Sequence, residues 1–171
     1  AQLLLRKGWG TISKEQIGRI RQNLEANIAQ LHPHVVRGTE VLDSFLNLQS
    51  IECLYTELYR YVDQPVSSIA HFDARQSNIA WHSKHGVRIV DWSWASAGSK
   101  GSDTTMFLID LHKSNIDITY YMKQYFDPDH ALLQIGYWLA RCIEPSPSTD
   151  NTVRFHQLAS AVSAADLLVS Y

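Results

Sequence analysis

Cysteine is nearly absent from this chain: Cys53 and Cys142 are the only two in 171 residues. They lie far apart in apolar stretches and match no metal-ligand spacing. One disulfide between them is an open alternative, but two buried thiols in a reducing cytoplasm are the simpler expectation. Long hydrophobic runs are missing too. No stretch approaches the roughly 18 apolar residues of a membrane span, and the opening AQLLLRKGWG has an apolar run too short for a signal peptide. Neither charge sign dominates, with 15 Lys+Arg against 17 Asp+Glu. The concentrated basic patch of a nucleic-acid binder is therefore not expected. Repeats, low-complexity tracts and linkers are lacking as well. What is present is ordinary globular composition, 45% hydrophobic and 19% charged, long enough for one domain with a sizeable core. These features predict a water-soluble, cytoplasmic protein.

Helical spacing dominates the first part of the chain. After Ser13, the residues Ile17, Ile20, Leu24, Ile28 and Leu31 recur at three and four positions, one apolar stripe. Ser13 is a candidate N-cap, with Gln16 completing a capping box. His32-Pro33-His34 ends that helix. A second is predicted after Thr39, continuing or restarting at Ser50 through Ile51, Leu54, Leu58 and Tyr61. From Asp63 the texture changes to short β-type runs: SSIAHF, NIAW and VRIVDWSW. The last two flank His82–Gly86 and read as a hairpin. Beyond Gly98–Gly101, the segments DTTMFLIDLHKSN, DITYYMKQYF, DPDHALLQIGYWLARCI and the capped terminal STDNTVRFHQLASAVSAADLLVSY are helical. The predicted fold is α+β, mostly α-helical, with a small central β-hairpin.

The stretch that carries chemistry is HFDARQSNIAWHSKHGVRIVDWSWASAGSKGSD, from His71 to Asp103. A turn centred between Lys84 and His85 puts Trp81 opposite Arg88, Ile79 opposite Val90 and Asn78 opposite Asp91. Opposed side chains lie about 5 Å apart at Cβ. A carboxamide oxygen and a carboxylate so placed suit a hard cation such as Mg²⁺, and Asp73 is within loop reach of them. The plainer reading of Asp73 and Asp91 is turn-capping. His71 suits a satisfied core histidine, and Arg75 fits either a phosphate contact or a salt bridge. The remaining histidines, including the His32/His34 and His82/His85 pairs, read as surface residues. Trp92, Trp94, Trp138, Tyr120 and Tyr121 read as core.

The spacing H-x-D-x-x-x-x-N (His71, Asp73, Asn78), followed by a hairpin and a strand ending in Asp91-Trp92, resembles the aminoglycoside phosphotransferase and choline kinase-like family. The resemblance extends over most of the chain, but only His71–Asp103 is motif-specific. It implies the C-terminal lobe of a protein kinase-like fold over residues 1–171. No Gly-rich loop or lysine-bearing strand precedes His71, so the resemblance implies that the N-terminal nucleotide lobe is absent from this chain. It implies an ATP- or GTP-dependent phosphotransferase acting on a hydroxyl of a small molecule, with Asp73 as catalytic base. Asn78 and Asp91 would hold Mg²⁺ against the nucleotide phosphates, and Arg75 would steady the transferred phosphoryl group. His71, Trp92 and Asp103 would be structural groups near the site. Departures from the pattern are Phe72, Gln76-Ser77 and Ser93, none of which removes a group the chemistry requires. Two alternatives stay open: a non-catalytic binding or regulatory lobe, and a metal-dependent hydrolase using Asp73, Asn78 and Asp91. A lone lobe is expected to bind ATP weakly, to transfer no phosphate, and to expose an apolar patch at Leu3, Leu4, Leu5 and Trp9.

Overall fold

A computed structural model describes residues 1–171 apart from 65, 67 and 148. Ser67, which heads the SSIAHF run, and Ser148, near the start of the terminal segment, thus lie outside the described residues. Eight α-helices alternate with two small antiparallel sheets: α1 (Gln2–Lys7), α2 (Lys14–Asn27), α3 (Arg37–Phe45), α4 (Leu48–Val62), β1 (Ser68–Ala70), β2 (Ile79–His82), β3 (Gly86–Ile89), β4 (Ser96–Gly98), α5 (Ser102–Lys113), α6 (Thr119–Tyr125), α7 (Pro128–Cys142) and α8 (Thr152–Ser170). The architecture is α+β and mostly helical.

Local chemistry sets the helix starts. Ser13 Oγ accepts the Gln16 amide at 3.3 Å while Gln16 Oε1 accepts the Ser13 amide at 2.8 Å, a complete capping box for α2. Asn47 caps α4 through the Ser50 amide at 2.9 Å. Asp127 caps α7 through the His130 amide, with Pro128 at the first helical position. The second predicted helix begins earlier than Thr39, and Leu46-Asn47 separate α3 from α4. The terminal helix has no side-chain cap, contrary to expectation.

The apolar core lies between helices. α8 is buried along most of its length and packs chiefly on α7, α3 and α5. Its small residues Ala159, Ser160, Ala161, Ser163, Ala164 and Ala165 permit that approach. Gly38 in α3 shows how close it is, since an added Cβ would sit 2.0 Å from the Val162 carbonyl oxygen. Gly136 in α7 likewise makes room for Trp9, whose Nε1 donates to the Leu132 carbonyl at 2.8 Å.

Trp9 and Leu5 are each only 1% exposed, packed against α7 and α4. The expected apolar patch at the N-terminal end is therefore reduced to Leu3, with Leu4 partly covered. Cys142 is buried, but Cys53 is exposed on α4, which corrects the expectation of two buried thiols. Trp92, Trp94, Tyr120 and Tyr121 are exposed rather than core. The terminal run of VRIVDWSW is not strand: β3 ends at Ile89, and Trp92–Trp94 form a turn of 3₁₀ helix. Among the described residues, no helix is long and apolar enough to cross a membrane.

Candidate active site

Among the described residues, the main core takes nothing between Val62 and Leu108. The His71–Asp103 segment lies on the helical body and is fixed to it by polar bonds. β1 pairs with β4, so Ala70 lies opposite Ser96 and Ile69 opposite Ala97, which brings both ends of the segment together. β2 and β3 form the hairpin, but one residue away from the predicted register: Ile79 opposes Ile89, Ala80 opposes Arg88 and Trp81 opposes Val87. The cause is the loop. His85 N–H bonds back to the His82 carbonyl, and Gly86 takes φ +66°, giving a three-residue turn where an even one was assumed. Asn78 consequently faces Val90, whose amide donates to the Asn78 carbonyl at 2.9 Å. Asp91 lies two residues beyond the end of β3, with φ +59°.

Asp103, in the first turn of α5, accepts the His71 amide on one carboxylate oxygen (2.8 Å) and the Phe72 amide on the other (2.9 Å). That clamp holds Phe72 at φ +59°, a left-handed conformation costly for a bulky residue. His71 is fully buried and bridges two segments: its Nε2–H donates to the Val90 carbonyl at 2.9 Å, and its Nδ1 accepts the Asp73 amide at 3.2 Å. Those partners assign the proton to Nε2. The Trp92 ring lies edge-on to it at 4.8 Å.

Asn78 is buried and donates its amide to both the Asp73 carbonyl (2.9 Å) and Asp73 Oδ2 (2.8 Å). Its own side-chain oxygen has no protein donor among the described residues. Arg75 Nε stands 3.2 Å from Asp73 Oδ1 without hydrogen-bond alignment, so this is an ion pair by distance alone. Asp91 is exposed and accepts the Ser93 hydroxyl at 2.6 Å. That bond, with smaller help from His71 and Arg75, outweighs the small desolvation penalty and holds its carboxyl below the usual carboxylate range. Asp91 therefore stays ionised at neutral pH.

Behind Asp73 opens a cavity of about 400 Å³, walled by Phe72, Trp94, Met106, Tyr137 and Trp138 and bounded by Arg75, Asp110, His156 and Ser160. Sequence reasoning missed its polar side. Asp110 accepts the Gln76 amide at 2.8 Å and the Lys113 ammonium at 2.8 Å. Burial pushes Asp110 up, but these bonds more than offset it and leave the group below its ordinary value. Lys113 is lowered by burial despite Asp110, and His156, beside Lys113, is pushed down to about 4, chiefly by burial. Asp110 and Lys113 lie one turn apart on α5, but His156 comes from α8, a pairing that no sequence spacing reports. Seven residues separate Asp103 from Asp110, about two turns, so both face the His71–Gln76 loop.

The one-residue slip undoes the predicted opposition of Asn78 and Asp91: Asn78 faces Val90, and Asp91 stands beyond the strand. Each still carries an oxygen of the type that a hard cation takes alongside water and phosphates. Among the described residues, no three His, Cys, Asp or Glu side chains converge as a metal cage. No family model matches this sequence, and neither a curated protein nor a solved structure matches it.

Proposed function

We propose that the chain is the helical, catalytic lobe of a protein kinase-like phosphotransferase, similar to the aminoglycoside phosphotransferase and choline kinase-like family. It moves the terminal phosphoryl group of ATP or GTP to a hydroxyl of a small molecule. One observation carries this reading. Asp103 clamps the amides of His71 and Phe72, His71 ties that loop to the strand before Asp91, and Asn78 orients Asp73. Every position singled out by the motif takes part in, or directly adjoins, one interlocked unit at a cavity of ligand size. Turn-capping alone accounts for none of that cross-bracing.

Asn78 and Asp91 would hold Mg²⁺, which when bound neutralises charge on the nucleotide phosphates. The chain's own groups do the rest. Asn78 occupies Asp73 Oδ2, leaving Oδ1 to accept the proton of the attacking hydroxyl as its oxygen bonds to phosphorus and the nucleoside diphosphate departs. Arg75, with no aligned protein acceptor on Nε, turns its guanidinium to the transferred phosphoryl oxygens. The exposed apolar face of the hairpin, with Val87, Ile89 and Trp92, offers a surface for the nucleotide base. A nucleotide-using enzyme with two free thiols belongs in the cytoplasm.

The test is a divided effect. In a complete protein with both lobes, Asp73→Asn should leave Mg-nucleotide affinity within about twofold and lower turnover by roughly 10²–10⁴-fold, the worth of a positioned base. Asp91→Ala should weaken Mg-nucleotide binding itself. Unchanged turnover in Asp73→Asn would remove the catalytic assignment.

A further inference from the structure

Resting on the phosphotransferase reading, we infer that the acceptor in the cavity beside Asp73 is an uncharged, ring-bearing hydroxyl compound and not an amine. Both acidic side chains lining this cavity already have basic partners. Asp110 has Lys113 Nζ on Oδ1 at 2.8 Å, and its Oδ2 accepts the Gln76 backbone amide at 2.8 Å and side-chain amide at 3.2 Å. Asp73 has Asn78 on Oδ2 and Arg75 beside Oδ1. An ammonium entering here meets Arg75, with Lys113 close behind Asp110, and finds each carboxylate already balanced by a cation, so it adds a charge that nothing at the cavity compensates.

The remaining polar groups at the cavity are uncharged hydrogen-bonding partners: Gln134, Thr152, Gln157 and Ser160, together with His156. Burial and the neighbouring Lys113 keep the His156 imidazole unprotonated near neutral pH. Facing them are the rings of Phe72, Trp94, Tyr137 and Trp138. Flat aromatic walls with neutral donors and acceptors suit a hydroxylated ring that has one apolar face. About 400 Å³ is near the small end of ligand pockets, which favours a mono- or bicyclic acceptor.

Calorimetric titration of the chain without nucleotide, using phenyl β-D-glucoside and its 2-amino-2-deoxy analogue, tests this independently of phosphate transfer. The glucoside should bind saturably, and the amine should bind at least about tenfold more weakly, as expected for one poorly screened like charge. Lys113→Met releases Asp110 and should shift the ratio towards the amine by about the same factor. Equal or tighter binding of the amine by the native chain, or no saturable binding of the glucoside, overturns the inference. The native pair decides the matter even where Lys113→Met fails to fold. A separate titration with Mn²⁺ and ATP keeps the two readings apart. Selective glucoside binding by a chain that shows no ATP-dependent Mn²⁺ binding counts against the phosphotransferase and leaves the acceptor class standing.

Discussion

Histidines buried in this molecule do opposite kinds of work. His71 has a partner on each ring nitrogen and so is a structural brace. His71→Ala would leave the Asp73 amide and the Val90 carbonyl without those bonds, at a cost of about 2–5 kcal/mol in urea unfolding. His130, fully buried on α7, has Nδ1 without a partner among the described residues and is pushed down to about 4 by burial, against the opposing pull of Asp127. The unfolded histidine titrates near 6.5. Between these values the unfolded chain binds a proton that the folded chain refuses. Stability is therefore fully present above about pH 6.5 and is lost as pH falls towards 4, by on the order of 3 kcal/mol from His130. His156 adds to the loss with the same sign. Urea midpoints measured from pH 7.5 to 4 check this, and His130→Gln should flatten the slope.

Helix α5 is the element that turns a loop into a site. Asp103 and Asp110, two turns apart, hold backbone amides at the two ends of the His71–Gln76 loop. Asp103→Ala removes two charge-assisted bonds and should cost about 3–5 kcal/mol. Amide exchange at His71 and Phe72 should accelerate while exchange within α8 changes little. The elements themselves were largely legible. The Ser13/Gln16 box, the apolar stripe of α2 as far as Leu24 and the helical spacing after Gly101 follow from short-range chemistry, and the structure carries them, whereas Ile28 lies past the end of α2 and is exposed. The hairpin was legible as well, but not its register, because Gly86 in a left-handed conformation adds a residue to the turn and no periodicity reports that. Likewise, Trp92 and Trp94 are hydrophobic enough for a core, yet they follow Asp91, where the chain leaves the sheet. The motif spacing marked Asp73, Asn78, Asp91 and Asp103. The Asp110–Lys113–His156 side was not legible, since it is assembled from helices α5 and α8.

On the scale of the whole molecule, a tight helical body carries a thin surface layer that holds the candidate site. α3, α7 and α8 approach so closely that Gly38→Ala, with its Cβ 2.0 Å from a carbonyl oxygen, must separate two backbones. A loss of about 2–3 kcal/mol is expected, read as a lower urea midpoint, with no change in the acid slope. The candidate site is tied to this body through α5, whereas the hairpin remains open, with Trp81 and Val87 largely exposed. On the proposed reading, phosphates would be held through Asn78 and Asp91 from one side only, so weak nucleotide binding is expected of these 171 residues by themselves. The most direct measurement uses that weak binding: water-proton relaxation enhancement during titration of the chain with Mn²⁺ and ATP at millimolar concentration. The native chain and Asp73→Asn should both give an ATP-dependent enhancement, and Asn78→Ala and Asp91→Ala should lose it. An enhancement that survives Asp91→Ala, or none in the native chain, would contradict the phosphate-shared cation site on which the phosphotransferase reading stands.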